Sequence, residues 1–172
     1  ASSPIETTSA TVTRAGDTIT LATTLFAHSE TAGTLLVKSI VYGAATYGSD
    51  RLVEFNDGTA NERIFIYATS VSTGNALVTD GAVTQATVAA SSTNAFTVGT
   101  AFKIGASWAA NSFRIALNGT AGTEDTAGTL PTITSLRFGS GAGSVFSSQY
   151  MQHLVHLPRQ MSQAELNTWT TL

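Results

Sequence analysis

The chain contains no cysteine in its 172 residues. That removes disulfide staples, thiolate metal sites and a cysteine nucleophile together. It also argues against a eukaryotic secreted module, where disulfides are expected at the cell surface. Charge is scarce as well: Asp, Glu, Lys and Arg make up 11% of residues, less than half the usual share, and the formal net charge is -3. No basic stripe runs along the chain, so nucleic acid is not an expected partner. No apolar run reaches membrane-spanning length, so membrane insertion is not expected either. The chain opens without a signal-peptide pattern. Its abrupt start, Ala1-Ser2-Ser3-Pro4, reads as the edge of a piece processed from something longer.

Thr, Ser, Ala and Gly fill the space that Lys and Glu usually occupy, and Thr suits pleated, half-buried surfaces. Short alternating runs recur along the chain: Thr11–Arg14, Thr18–Leu21, Leu35–Tyr42, Arg51–Phe55, Glu62–Tyr67, Ala76–Thr79, Val83–Val88 and Thr132–Phe138. Asn56-Asp57-Gly58 is a strong turn signal, and Asp80-Gly81 predicts a type I′ hairpin. In the clearest pair, Phe102, Ile104, Ala106 and Trp108 share one face of a strand, and Phe113, Ile115 and Leu117 share one face of the next. Asn118-Gly119 ends that strand. Glycine and serine then dominate Gly139–Ser148, with Gly139–Ser144 the expected mobile segment.

After a last strand, Met151–Leu157, Pro158 stops the ladder because it has no N–H to donate. Ser162-Gln163-Ala164-Glu165 forms a capping box, and Leu166 and Trp169 follow on one helical face. This predicts an all-β fold over residues 1–172 as one domain: a two-sheet antiparallel jelly-roll sandwich with a short C-terminal helix. Trp108 is expected in the core and Trp169 between helix and sheet.

Four segments carry a family resemblance. Ser107-Trp108-Ala109-Ala110-Asn111-Ser112-Phe113-Arg114-Ile115-Ala116-Leu117-Asn118-Gly119 resembles the central hairpin of concanavalin A-like, laminin-G-like jelly rolls. Leu136-Arg137-Phe138-Gly139 is similar to the strand that follows it. Leu157–Leu166 resembles the terminal segment, and Ile5–Asp17 the entry segment, of versions found in bacteriophage tail and virion proteins. The resemblance implies a virion location, on a phage tail or capsid surface, with glycan or other virion proteins as partners and a homotrimer as candidate assembly. Relatives bind through variable loops, so no ligand residue is carried over by position.

The residues point away from an enzyme. A sandwich glucanase needs paired carboxylates on one strand face, and no strand here carries them. Glu124 and Asp125 are adjacent and Glu54 and Asp57 are separated by a turn. There is no Gly-x-Ser-x-Gly elbow, and Gly139–Gly143 is not a phosphate fingerprint. His153 and His156 have the spacing of opposite strand faces, and His28 has only Glu30 as an acidic neighbour. No cofactor is expected; calcium is the one ion that Asn56, Asp57, Asp50 and Asn61 would admit, although turn chemistry accounts for them. The candidate ligand-binding residues are Arg63, Tyr67, Asn56 and Asn61, because Phe65 and Tyr67 share a face beside Arg63. The expected function is a non-catalytic virion surface domain for adhesion or assembly that can take carbohydrate. The alternative is a structural capsid-decorating or tail protein without glycan binding, with a glycan-cleaving enzyme third.

Overall fold

A computed structural model describes residues 19–42, 47, 51–141 and 147–172. The expected strand over Thr11–Arg14 and residues 142–144 of the expected mobile loop lie outside them. The elements are β1 (Ile19–Ala22), a 3-10 turn (Thr23–Leu25), β2 (Ala32–Val41), β3 (Arg51–Asn56), β4 (Arg63–Ala68), β5 (Thr73–Asp80), β6 (Val83–Ser91), β7 (Ala101–Ala109), β8 (Ser112–Leu117), β9 (Thr120–Ala121), β10 (Ser135–Phe138), β11 (Gln149–Leu157) and α1 (Gln163–Thr170). They form a six-stranded sheet in the order β1-β10-β3-β4-β5-β6 and a five-stranded sheet in the order β11-β2-β7-β8-β9. The paired strands run antiparallel. The fold is the predicted sandwich with one short C-terminal helix.

The alternation seen in β7 and β8 becomes one wall of the interior. Phe102, Ile104, Ala106, Trp108, Phe113, Ile115 and Leu117 are all buried there. Val53, Phe55, Ile64, Ile66, Ala76 and Val78 of the other sheet meet them. Phe55 and Trp108 touch edge-on, with ring centroids 5.9 Å apart. Full burial of one such aromatic is worth about 1.5–3 kcal/mol. Trp108 lies against Gly33 of β2, where an added Cβ would come within 2.4 Å of the indole ring.

At one end of the core, two imidazoles join the aromatic cluster. His28 and His156 lie 5.6 Å apart by ring centroid, against Phe26 and Phe55. His156 Nδ1 lies 3.1 Å from the Thr34 carbonyl oxygen. Burial pushes both imidazoles below their ordinary value. Glu30 opposes this at His28; at His156 the Thr34 carbonyl opposes it and His28 adds to it. His153 is exposed, so the odd spacing of His153 and His156 separates them as expected.

Two local expectations shift. The β5–β6 hairpin does turn as type I′, but its central pair is Gly81-Ala82, with φ of 60° and 66°, one residue later than Asp80-Gly81. Alanine therefore occupies a left-handed position that glycine takes more cheaply. The strand expected from Thr132 begins only at Ser135, downstream of Pro131, which has no N–H for a ladder.

The outer face of the five-stranded sheet is closed. Leu36, Ala116, Met161 and Leu166 form a second small core, with Val155, Leu157 and Trp169 packed against it. The capping box is present: Ser162 Oγ accepts from the Glu165 amide at 3.3 Å, and Glu165 Oε2 accepts from the Ser162 amide at 2.7 Å. Buried hydroxyls hold the approach to the helix. The Met161 amide donates to Thr34 Oγ1 and Ser107 Oγ at 3.1 and 2.9 Å.

Candidate functional site

The outer face of the six-stranded sheet is built differently. Its side chains follow from strand register. β10 and β3 pair Arg137 with Glu54 and Ser135 with Asn56. β3 and β4 pair Glu54 with Phe65, Asn56 with Arg63 and Arg51 with Tyr67. A bulge between Arg51 and Val53 sets Leu52 and Val53 both into the core, and so puts Arg51 on the same outer face as Glu54. Three of the eight Lys and Arg residues in the chain, Arg51, Arg63 and Arg137, thus share one face with a single carboxylate among the described residues, Glu54.

The face is layered. Phe65 is buried beneath two guanidiniums: the Arg51 Cζ lies 3.8 Å from its ring centroid and the Arg63 Cζ 4.8 Å. Tyr67 extends the aromatic floor, 5.0 Å from Phe65 by centroid and 5.1 Å from the Arg51 Cζ. Such stacking fixes guanidiniums in position with their edges free to donate. Glu54 is fully buried; its Oε1 accepts from Asn56 Nδ2 at 2.8 Å and its Oε2 lies 3.6 Å from Arg51 Nε. Asn56 Oδ1 in turn accepts from the Gly58 amide and from Ser135 Oγ, both at 2.9 Å.

Arg51 is only 13% exposed at its side chain. Burial pushes its guanidinium below the ordinary value; Glu54 opposes that shift and the like charge of Arg63 adds to it. Arginine still keeps its proton. Three guanidinium nitrogens on this face, Arg51 Nη1, Arg63 Nε and Arg137 Nε, are shielded from solvent and have no hydrogen-bond partner. Buried cationic donors without acceptors are costly.

Of the residues expected at a site, Arg63, Tyr67 and Asn56 do share this face. Asn61 is exposed in the turn between β3 and β4, where its amide donates to Thr59 Oγ1 and its carbonyl accepts from Ala82. The donors considered for calcium are engaged in turn chemistry. Asp57 Oδ1 accepts from Thr59 N and Oγ1 at 2.8 and 2.7 Å, and Asp50 lies outside the described residues. Among the described residues no group of three or more His, Asp or Glu side chains is arranged to hold a metal ion. Sequence reasoning missed Arg51, Glu54 and Arg137. The bulge hides the parity of Arg51, and Arg137 reaches the site only through its pairing with Glu54, 83 residues away in the chain. The one available signal was Arg137 in an otherwise alternating strand.

No family model and no curated protein matches the sequence. Solved structures do share its shape. The CBM40 module of the Ruminococcus gnavus IT-sialidase, bound to α2,3-sialyllactose, matches with a TM-score of 0.67 at 11% identity, over 83% of this chain and 84% of that one. The NanB sialidase of Streptococcus pneumoniae matches with a TM-score of 0.67 at 13% identity over 87% of this chain, which spans 26% of that enzyme's length. A native heptameric SAP-like pentraxin from Limulus polyphemus matches with a TM-score of 0.60 at 12% identity, over 85% and 74% of the two chains. What this chain shares with them is the concanavalin A-like jelly roll itself.

Proposed function

We propose that this chain is a non-catalytic glycan-binding module, and that the outer face of its six-stranded sheet takes an acidic saccharide. The observation that carries the reading is the set of three guanidiniums on one face, of which Arg63 and Arg137 are part exposed. A sugar carboxylate would meet Arg63 and Arg137, Arg51 would hold the Phe65 ring beneath it, and Tyr67 would meet C–H faces, while Asn56, fully buried, would only hold Glu54 in place. The fold likeness to a module bound to sialyllactose supports an acidic sugar. Hydrolysis is not part of the proposal, because among the described residues no second acid pairs with Glu54 on this face to divide acid and nucleophile roles.

Titration calorimetry with α2,3-sialyllactose and with lactose tests this. Binding of the first and not the second, lost in Arg63→Ala and in Arg137→Ala, is the expected result. Equal response to both sugars, or none across a broad array of acidic glycans, would sink it.

The setting is proposed from the sequence resemblance: the surface of a phage virion, tail or capsid, with adhesion as the role and a homotrimer as the assembly. Light scattering on the purified chain checks the trimer; a monomer at micromolar concentration removes that part alone. The convergence of Arg, Asn and Tyr on one face favours adhesion over a purely structural role.

A further inference from the structure

A second feature lies at the seam between the sheets, where the end of the β1–β10 pair meets the start of β11. A groove of about 370 Å³ runs there between Ile19, Phe138, Ser147, Gln149 and Tyr150. It is separate from the arginine face, since Phe138 and Arg137 are neighbours in one strand and point to opposite sides.

Its walls are apolar and open to solvent. Ile19 is 61% exposed and Tyr150 57%. Tyr42, 67% exposed, meets Tyr150 edge-on at 6.1 Å and extends the wall. Its polar atoms are fixed and uncharged. Gln149 Nε2 donates to the Leu52 carbonyl at 2.8 Å, which locks the carboxamide. The Ser147 amide donates to the Gly139 carbonyl at 2.8 Å, which holds that residue in place. Gln149 Oε1 and Ser147 Oγ are nevertheless buried and without a hydrogen-bond partner. No Lys, Arg, Asp or Glu lines the groove among the described residues.

Buried oxygens without partners are uncommon and call for an occupant that can supply them. We propose that the groove is a subsite for an uncharged pyranose. The C–H face of the ring would lie on Tyr150 and Ile19. One hydroxyl would donate to Gln149 Oε1, and another would exchange a hydrogen bond with Ser147 Oγ. An anion finds no counter-charge here, and a purely apolar group would leave both oxygens unmet. The proposal stands apart from the acidic-ligand reading of the arginine face, because the two surfaces share no side chain.

Saturation-transfer NMR on the full chain tests it with three probes, methyl β-galactopyranoside, methyl α-glucopyranoside and N-acetylglucosamine, each at about 10 mM. At least one probe is expected to receive saturation from the unaltered chain and equally from an Arg63→Ala/Arg137→Ala double variant. The same signal is expected to fall by roughly fivefold or more in Tyr150→Ala and in Ile19→Ser, whose exposed positions spare the fold. Absence of transfer to all three probes overturns the proposal. So does a signal untouched by both groove variants, and so does one lost only with the arginines, which would place neutral sugars on the other face.

Discussion

The two outer faces of the sandwich share a core and diverge in everything else. On the five-stranded sheet, small residues let α1 settle closely; a Cβ on Gly105 would stand 2.7 Å from Leu36 and 3.1 Å from Leu166. Buried hydroxyls there are matched to backbone groups, as Ser107 Oγ is to the Met161 carbonyl at 2.9 Å. On the six-stranded sheet guanidiniums crowd over Phe65 with donors unspent, and the chain at Gly141 lies against Glu54 and Arg51, where an added Cβ would stand 2.9 Å from Glu54 Oε2 and 3.1 Å from Arg51 Cγ. One face is closed by α1, whereas the other sets three arginines around Glu54 and leaves three of their nitrogens without a hydrogen-bond partner.

The sharpest way to break this contrast is Leu166→Ala. It should lower unfolding free energy by about 2–5 kcal/mol in urea titrations, and leave ligand affinity of the folded protein unchanged. A matched loss of affinity would mean that the helix face contributes to binding. Arg137→Ala should do the reverse. Affinity for the acidic sugar should fall tenfold or more, roughly 1.4 kcal/mol, while the urea midpoint barely moves. A large midpoint loss would recast Arg137 as structural. Ser162→Ala removes the cap of α1 and should cost about 1 kcal/mol.

The smallest effect belongs to pH and to neither face. His28 and His156 sit below their ordinary value of 6.5 in the folded chain, chiefly through burial. The unfolded chain therefore binds more protons as pH falls below about 6.5, so stability declines from there and levels once the folded imidazoles are protonated. Melting temperature should drift down on acidification. It should drift less in His156→Phe, and a profile identical in the two would show that the imidazoles do not govern it.

Much of this architecture is legible without coordinates. Period-two runs identify the buried faces of β7 and β8, and Ser162 and Glu165 announce the helix start. Half of the candidate face was legible too, because Arg63, Phe65 and Tyr67 alternate within one strand. The rest depends on pairing between distant segments. Nothing local says that Arg137 will face Glu54, and Glu54 reads in isolation as an ordinary surface acid, whereas the fold buries it completely. The alternation rule also fails at Arg51 for a reason it cannot contain: an irregularity in the ladder changes the count.

That irregularity has a consequence for how the protein could change. Losing a single codon at Leu52 would straighten β3 and leave Arg51 beside Val53 in regular alternation, still opposite Tyr67 on the outer face, while one buried leucine side chain vanished from the core. The cost of the deletion would be a cavity in the core and not a buried charge, so the pairing of β3 with β4 should survive it.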